Sequence, residues 1–429
     1  MSVADGFRAG GRRAAWRGSL TSAHRVVIVA AVVGGLTGLG VAAFDRVVVD
    51  VLLERVADAP EWLLAVLPGV GLLIALAARR VIGGGVSPST ADEYLRAFHD
   101  PEVRLGWRAF AGRMVAAIAT LGSGAPMGLE GPSLYLGATI GAEAQRRGGP
   151  RVAGSDRRTL TVAGAAAGVA AIFKAPATGA VFALEVPYRG DFARRMLLPA
   201  LVAAATGYLV FAWINGTDPL FPIEGNAAFG FRDLAGAAVV GVVAALGAHG
   251  FSWLLRQAKR IPDGLHPVRT TVAAGAALAL LFVVGEALTG EPLVLGSGYQ
   301  VLTWVADPGR SAWALLALLV LRGLATSATV AGGGVGGLFI PLVVAGALTG
   351  ALVGNVANPG DLDLFIVIGV AAFLGAGYRV PLAAVMFVAE TTGRPSFVVP
   401  GLIAAVAAEL LMGRASVTAY QLDHSAPGD

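Results

Sequence analysis

The residue with the clearest chemical potential is Glu130, a carboxylate in an otherwise apolar stretch, residues 128–132, that reads Gly-Leu-Glu-Gly-Pro. A charged carboxylate at the centre of a bilayer costs about 2.5–3.5 kcal/mol on insertion scales, so its surroundings must compensate for it. Proline is well tolerated early in a helix, and glycine lets backbone amides face a ligand. The pattern predicts a helix that starts at Glu130, whose positive N-terminus suits this carboxylate or an inorganic anion in its place. Competition for that position would act as a gate; the alternative is a glutamate that only caps the helix.

The Gly-Leu-x-x-Pro pattern occurs a second time, at residues 337–341, where the sequence is Gly-Leu-Phe-Ile-Pro and the carboxylate is absent. The prolines of the two copies, at positions 132 and 341, are 209 residues apart. Each copy is followed by a proline with Phe at +6 and Glu at +9, at residues 176–185 and again, 205 residues on, at 381–390. Two co-linear matches at nearly one offset indicate an internal duplication. In membrane proteins a substrate site commonly lies where broken helices of two such halves meet.

Several helix starts are predicted to converge. A glycine-rich run at 332–336 precedes the second copy of the motif, and a glycine-rich break at 83–88 supplies a third helix start. Helix N-termini that meet at a dry centre make an anion site without any Lys or Arg in it. Capping needs one such motif, whereas a convergent site needs several, so the duplication favours the anion site.

The composition is that of a polytopic, helical membrane protein. Of 429 residues, 56% are hydrophobic and 14% are charged, against roughly 25% charged residues in soluble domains. The mean hydropathy is +0.71. Several apolar runs approach the ~20 residues that cross a bilayer core. The net charge of +4 is mild and predicts no nucleic-acid partner, and the absence of cysteine excludes disulfides, thiolate metal sites and cysteine nucleophiles.

The chain divides into two membrane repeats. Arginines in an N-terminal arm, residues 1–25, predict a cytoplasmic N-terminus in a multi-pass protein of the cell membrane. The C-terminus is expected to be cytoplasmic as well. The first membrane repeat is expected at 26–214 and the second at 231–412, joined by a polar linker at 215–230 that contains proline and glycine. A C-terminal helix and tail are expected at 413–429. The first apolar segment lacks a convincing cleavage site and is predicted to be a retained span.

Many of the predicted helices are shorter than a membrane span, and the 60 glycines separate them, as expected where helices stop partway and line a cavity. In the first half, one helix starts at Glu130, and the others are predicted at about 26–55, 62–81, 89–98, 104–121, 157–172, 176–186 and 192–214. Those of the second half are predicted at about 231–257, 267–289, 297–306, 311–329, 338–355, 362–375, 380–391 and 398–412.

These motifs resemble those of the CLC family of chloride channels and proton-coupled chloride transporters. Residues 128–132 resemble the family's gating motif G-x-E-G-P, and residues 337–341 its G-x-F-x-P motif. Residues 173–185 resemble its F-N-A-P-x-x-G-x-x-F-x-x-E stretch, and residues 416–422 its S-I-Y-x-x-Q-L ending. The motifs occur in family order, and the resemblance extends from about residue 26 to 422.

The resemblance implies an all-α polytopic fold, an inverted repeat of tilted and broken helices, in a homodimer whose subunits each hold a pore in membrane lipid. It implies transport of chloride or a similar monovalent anion, either alone or in exchange for protons, with Glu130 as the external gate. Bound chloride ions are the only ligands expected, with no metal, no other cofactor and no enzymatic activity. The backbone implied to bind the anion at its central and outer positions is that of Leu129, Gly131, Leu338, Phe339 and Ile340.

The sequence departs from the family at the pore serine. The serine of the family's G-S-G-I-P loop aligns with Gly85, and Ser87 is the nearby candidate to replace its hydroxyl. Ser123 lies in a near-copy of that loop, residues 122–126, but too close to Glu130, so we expect it to be structural. Whether Ser87 or Ser123 replaces the pore serine stays open.

Two further departures concern coupling and pore width. The family's internal proton-transfer glutamate aligns with Val186, and proton coupling usually needs ionisable groups along a route. The adjacent Glu185 is expected to be a structural carboxylate at a helix end rather than a proton relay. The family's pore tyrosine aligns with Thr418, which predicts a wider or less selective inner pore and adds Thr418 to the candidate anion-binding residues.

The main hypothesis is therefore an anion pore gated by Glu130 that is channel-like or weakly coupled, because the proton glutamate is replaced by Val186. One alternative is a proton-coupled chloride antiporter with a proton pathway through Glu130 and Glu185. Another is a family variant for fluoride or nitrate, since two familiar pore hydroxyls are missing. An alternative from a different class is an intramembrane serine hydrolase that uses Ser123 with His249, which needs the two side chains within hydrogen-bond reach.

Overall fold

The computed structural model describes residues 3–148, 158–217, 229–261 and 266–423, and the side chains of residues 3–23 lie outside that description. Across these ranges the regular structure is helical, with only two isolated β-bridges. Within the same ranges nine helices are long and apolar enough to cross a membrane. The all-α polytopic fold predicted from the sequence is confirmed.

Among the described residues of the first half there are eight helices. Helix α1 (Val3–Arg46) continues through a π-helical turn, Val47–Leu53, into a last turn that ends at Ala57. The helix thus extends back through the predicted arm, whereas the candidate membrane span is His24–Ala57. The helices that follow are α2 (Glu61–Val81), α3 (Ala91–His99), α4 (Trp107–Gly122), α5 (Glu130–Gly148), α6 (Thr159–Phe173), α7 (Pro176–Glu185) and α8 (Leu197–Asn215).

The second half repeats this order. Its helices are α9 (Phe231–Lys259), α10 (Pro267–Thr289), α11 (Tyr299–Ala306), α12 (Ala312–Ala331), α13 (Phe339–Ala357), α14 (Leu362–Tyr378), α15 (Pro381–Thr392) and α16 (Val398–Met412). Each helix of α1–α8 therefore has a counterpart eight helices later. Counterparts α2 and α10, α5 and α13, and α7 and α15 pack against each other.

Equivalent glycines mark the line along which the halves meet. Where α2 crosses α10, a Cβ added to Gly275 would lie 2.8 Å from Cα of Gly69, so only glycine permits the approach. Ahead of α5 and α13, Gly128 N donates to Gly337 O at 3.0 Å, and Gly337 N donates to Gly128 O at 2.6 Å. Within each pair, the two glycines are separated along the chain by nearly the offset of the sequence repeat. The reciprocal bonds indicate a pseudo-two-fold axis between them.

The second duplicated pattern, at residues 176–185 and 381–390, forms two helix caps, in each of which a glutamate of one half caps a helix of the other half. The carboxylate of Glu185, at the end of α7, accepts from the backbone amides of residues 382 and 383 at 3.1 and 2.8 Å. The carboxylate of Glu390, in α15, accepts from the amides of residues 177 and 178 at 2.9 and 2.6 Å. The first amides of a helix have no partner within it and carry partial positive charge. Each half therefore stabilises a helix start of the other.

The central helices are apolar on every side and buried. Every residue of α6 is buried, as is α14 from Leu364 to Tyr378. A helix that is hydrophobic all round belongs in a core or in a membrane. The outer helices instead expose large apolar side chains, among them Trp213, Phe231 and Leu410, as expected of surfaces that face lipid.

The predicted C-terminal helix is wrong for its described part. Residues 413–423 form turns and irregular chain. Val417 N donates to Gly377 O at 2.9 Å, and Leu422 N donates to Pro187 O at 3.2 Å, so the backbone bonds to distant segments instead of to itself. Residues 424–429, like residues 218–228 of the predicted linker, lie outside the described residues.

Candidate anion site and its vestibule

The site begins where the N-termini of α5 and α13 meet, at the reciprocal Gly128–Gly337 bridge. Glu130 is 3% exposed, and its Oε1 accepts from Phe339 N at 2.6 Å. The same carboxylate also interacts with the backbone amide of Ile340. Glu130 and Phe339 occupy the same position in the two motif copies. The Glu130 carboxylate thus binds the backbone amide of its own repeat counterpart.

The carboxylate of Glu130 occupies a position whose chemistry also suits an inorganic anion. The first amides of a helix form a ready anion site because they lack partners and the helix dipole favours negative charge. The first motif copy supplies the carboxylate, and the second supplies the amides that hold it. The structure therefore brings together Glu130, Phe339 and Ile340 from the predicted set.

Three glycines make room for this arrangement. A Cβ added to Gly128 or to Gly337 would overlap the Glu130 carboxylate. A Cβ on Gly131 would lie 2.8 Å from Cα of Gly337 and 2.6 Å from the hydroxyl of Thr90. These glycines are needed for close approach, and substitution at any of them disturbs the position of the carboxylate.

A cavity of about 340 Å³, here called the vestibule, leads from this point along the second motif copy. From the predicted set it is lined by Ser87, Leu338 and Thr418. Lining residues that were not predicted as site residues include Thr90, Tyr378 and Lys259. The vestibule gives a water-sized species access to the motif that holds Glu130.

Thr90 is the residue that sequence reasoning missed most clearly. It precedes α3, is 2% exposed, and its hydroxyl has no hydrogen-bond partner among the described residues. The capping bond is made instead by Ser89, whose hydroxyl accepts from Asp92 N at 3.3 Å. Thr90 is left with a free hydroxyl between the vestibule and Gly131. The signal in the sequence was the Ser-Thr pair, since one helix start needs only one cap.

Ser87 lines the vestibule, but its hydroxyl is already engaged. It donates to Glu93 Oε1 at 3.1 Å and accepts from Arg113 at 3.1 Å. The buried Arg113 also donates to the Tyr135 hydroxyl at 2.7 Å and forms an ion pair with Glu93 at 3.2 Å. This network fixes the loop before α3, and it leaves Ser87 with no spare proton for an anion.

Tyr378 places a phenol near the position that the alignment gave to Thr418. It ends α14, is 2% exposed, and its hydroxyl interacts with the backbone amide of Leu338. Its ring packs edge-on against Phe182 at 5.3 Å between centroids. The hydroxyl of Thr418 pairs with that of Ser416 at 2.9 Å. Tyr378 was missed because it lies forty residues before the motif that carries the family's tyrosine.

Other predicted residues lie outside the vestibule lining. The amide of Gly85 donates to Arg79 O at 3.0 Å. Leu129 is buried beside the gate, and its carbonyl accepts from Ser133 N at 3.1 Å. Glu185 caps α15, as described above. Val186 is buried, and its carbonyl accepts from the side chain of Gln421 at 2.9 Å.

The pair required for a serine hydrolase is not formed. Ser123 donates to Thr120 O at 2.9 Å within the last turn of α4. The ring of His249 bonds to Ala245 O at 3.3 Å within α9. Each side chain is engaged with its own helix, so the geometry offers no nucleophile–base contact.

The fold and the site define a class: a membrane protein built as an inverted repeat, whose halves meet at a buried carboxylate held by a backbone amide. The family model described as "Voltage gated chloride channel" matches residues 70–413. The chain belongs to this family, the CLC family, whose members transport anions.

Curated relatives and solved structures agree. The chain is 28% identical over 414 residues to a "H(+)/Cl(-) exchange transporter ClcA" of Klebsiella pneumoniae (strain 342), covering 90% of this chain and 85% of the relative. A ClcA of Citrobacter koseri is 28% identical over 407 residues, with the same two coverages. A solved CLC-type fluoride/proton antiporter is similar in fold, with a TM-score of 0.82, 22% identity, and coverage of 93% of this chain and 98% of that one. A slow cyanobacterial Cl⁻/H⁺ antiporter gives a TM-score of 0.77 and 20% identity, with coverage of 90% and 94%.

Proposed function

We propose that this protein is a proton-coupled antiporter of chloride, in which Glu130 competes with the anion for one site and carries the proton. The observation that carries the proposal is the hydrogen bond from Phe339 N to Glu130 Oε1. This bond occupies a backbone amide that a transported anion would also need, so the carboxylate and the anion compete for it. The names of the relatives as H⁺/Cl⁻ exchange transporters support the coupling.

The mechanism follows from the charge of the carboxylate. When ionised, Glu130 holds the amides of Phe339 and Ile340, and an anion cannot bind there. When protonated, it is neutral and gains less from the positive helix end, so an anion displaces it. The displaced side chain carries its proton out of the site and releases it to water on the side opposite the vestibule. The ionised carboxylate then returns and expels the anion into the vestibule, and a new proton reaches Glu130 from the vestibule side. Anion and proton therefore move in opposite directions, and each step is reversible.

Hydroxyl donors complete the anion's coordination in this proposal. A chloride on the amides next to Leu338 has the free hydroxyl of Thr90 and the phenol of Tyr378 within the same cavity wall. These two replace the hydroxyls that the alignment removed at Gly85 and Thr418. In place of the wider inner pore expected from the sequence, we propose a pore with two hydroxyl donors, those of Thr90 and Tyr378.

The channel-like hypothesis based on Val186 is the weaker one. The relatives are named as exchangers, and Val186 is held through its carbonyl by Gln421, away from the vestibule lining. The route for the proton is then the vestibule itself.

Reconstitution into liposomes tests the proposal. With a pH gradient imposed, the reversal potential should deviate from the chloride equilibrium potential, and Glu130→Gln should abolish proton movement while chloride still flows. Glu185→Gln is the matched control, since that carboxylate contacts helix-cap amides. A reversal potential that stays at the chloride value would overturn the coupling, and fluoride and nitrate in parallel runs test the choice of anion.

Topology and assembly belong to the same proposal: cytoplasmic termini and a homodimer with one pore in each subunit. Because the chain contains no cysteine, a single Asp423→Cys variant reports the side of the C-terminus by labelling with an impermeant maleimide. Labelling only from the cytoplasmic side is the expected result. Light scattering of the detergent-solubilised protein measures the subunit count, and a monomeric mass would contradict the dimer.

A further inference from the structure

Lys259 occupies an unusual position at the end of α9. Its side chain is 22% exposed and forms part of the vestibule wall. The ammonium lies 2.6 Å from Asp92 Oδ2 and donates to Val417 O at 2.7 Å. A lysine has three N–H donors. Two are therefore used by the described protein, and the third is left for the cavity.

The other charges around the vestibule are balanced. Glu93 is bound by Arg96 at 2.9 Å and by Arg113 at 3.2 Å. Asp92 is bound by Lys259, and it also accepts from Ala419 N at 3.1 Å. The vestibule wall thus holds two carboxylates, Asp92 and Glu93, and two cations, Arg96 and Lys259. Because these charges cancel, what the cavity offers to an anion is the third donor of Lys259.

Asp92 differs from Glu130 in how it is held. Besides Lys259 and Ala419 N, it bonds to the hydroxyl of Ser89 at 3.0 Å and so connects α3, α9 and the segment around Thr418. A carboxylate fixed from three sides is not a swinging gate. Its negative charge does, however, partly offset the positive charge of the Lys259 ammonium beside it. Conduction requires that an ion be bound strongly enough to enter and weakly enough to leave.

We propose that Lys259 is a binding station for the transported anion in the vestibule, and that Asp92 sets how strongly the station binds. The inference rests on the proposed function in one respect, namely that the anion crosses the vestibule on its way to Leu338. Chloride meets the third donor of Lys259 before it reaches the amides of α13. Asp92 keeps that encounter weak enough for the anion to move on.

The test uses variants that alter charge with little change in shape. Lys259→Gln should raise the chloride concentration for half-maximal flux about threefold, the scale of a partly exposed charge interaction. Asp92→Asn keeps an acceptor for Ala419 N but leaves the ammonium unpaired, so the half-maximal concentration should fall. Both shifts should shrink between 0.1 M and 1 M inert salt, because the screening length falls from about 10 Å to about 3 Å. Lys259→Arg should behave nearly as the unmodified chain.

A purely structural ion pair predicts a different outcome. Both Lys259→Gln and Asp92→Asn break the same pair, so both would then reduce flux in the same direction and without salt dependence, and that result would overturn the proposal. Neutralising Asp307, which pairs with Arg310 at 2.6 Å outside the vestibule lining, is the control for losing an ion pair as such. Should Asp92→Asn fail to fold, Lys259→Gln and Lys259→Arg still decide, since only the former is expected to shift.

Failure of this inference is distinguishable from failure of the proposed function. Coupling is read from the reversal potential under a pH gradient, whereas the station at Lys259 is read from the chloride dependence of flux. A channel with no proton movement could still show the opposite shifts of the two variants. An antiporter with normal coupling could show none, and in that case Lys259 is only part of the wall.

Discussion

The two copies of Gly-Leu-x-x-Pro share a backbone and differ in what they contribute. At residues 128–132 the third position is Glu130; at 337–341 it is Phe339, and the carboxylate of the first binds the backbone amide of the second at 2.6 Å. The caps of α7 and α15 behave differently, because there both copies retain the glutamate and each serves the other half equally. Where the repeat stays symmetric, the carboxylates stabilise the scaffold. Where it becomes asymmetric, one carboxylate lies on a backbone amide of the other copy, and that is the contact which the proposed competition with an anion uses.

The largest expected effect comes from filling the space between the two motif copies. In Gly337→Ala the added methyl would overlap the Glu130 carboxylate and lie 2.6 Å from Gly131 N. We expect anion transport to be lost and stability to fall by about 1–3 kcal/mol, as in other overpacked cores. Flux assays and thermal unfolding measure both. Gly250→Ala is the matched control, because nothing lies within 4 Å of its added Cβ. Normal transport by Gly337→Ala would show that the carboxylate does not occupy this space.

The next largest effect is expected when the charge of Glu130, which distinguishes the two motif copies, is neutralised. Chloride flux should rise as pH falls, because protonation neutralises the Glu130 carboxylate that competes with the anion. The limit is about tenfold per pH unit, the factor by which the ratio of ionised to neutral carboxyl changes. In Glu130→Gln the flux should be high and independent of pH. A pH profile that survives in Glu130→Gln would assign the titration to another group.

A smaller effect is expected from the free hydroxyl beside the gate. Thr90→Val retains the shape of the side chain but removes the donor offered to the anion. Apparent chloride affinity should fall several-fold, on the order of one hydrogen bond to a charged partner. Thr349→Val is the control, since that buried hydroxyl bonds to Ala345 O within its own helix. Equal chloride dependence in the two variants would remove Thr90 from the anion site.

The smallest effect concerns the symmetric caps. Glu185→Gln and Glu390→Gln each weaken charged capping of one helix, which lowers stability by about 0.5–2 kcal/mol. Because the two caps are equivalent, we expect similar shifts in unfolding temperature and an unchanged response of flux to pH. A loss of the pH response in Glu185→Gln alone would make Glu185 part of the proton route instead.

The scaffold was predictable because its signals are local or repeated. The offset between the motif copies anticipated that two helix starts would meet, and the Glu130–Phe339 contact confirms that convergence. Thr90 and Tyr378 were not predictable in the same way. Alignment assigns roles by position along the chain, whereas these hydroxyls enter the vestibule from helix ends at other positions.

The C-terminal segment shows the limit most directly. A helix and tail were expected there, but the backbone and side-chain bonds of its described part are non-local. The side-chain amide of Gln421 donates to the carbonyls of Val186 and Tyr378 at 2.9 and 2.7 Å. A conformation that depends on acceptors more than forty residues away leaves no periodic trace in its own sequence. The same bonds explain why the position aligned with the proton glutamate is held away from the vestibule.

The exchanged caps indicate how the chain is organised and where it can be divided into two polypeptides. Glu185 reaches the start of α15 while Glu390 reaches the start of α7, and Gly128 and Gly337 exchange both backbone bonds. In an isologous dimer interface the same surface of both subunits is used, so that each contact is made twice with the two partners exchanged. The monomer is therefore organised as two subunits fused in one chain. Two polypeptides ending at residue 217 and beginning at residue 229 retain every one of these contacts, and we expect them to reassemble when produced together.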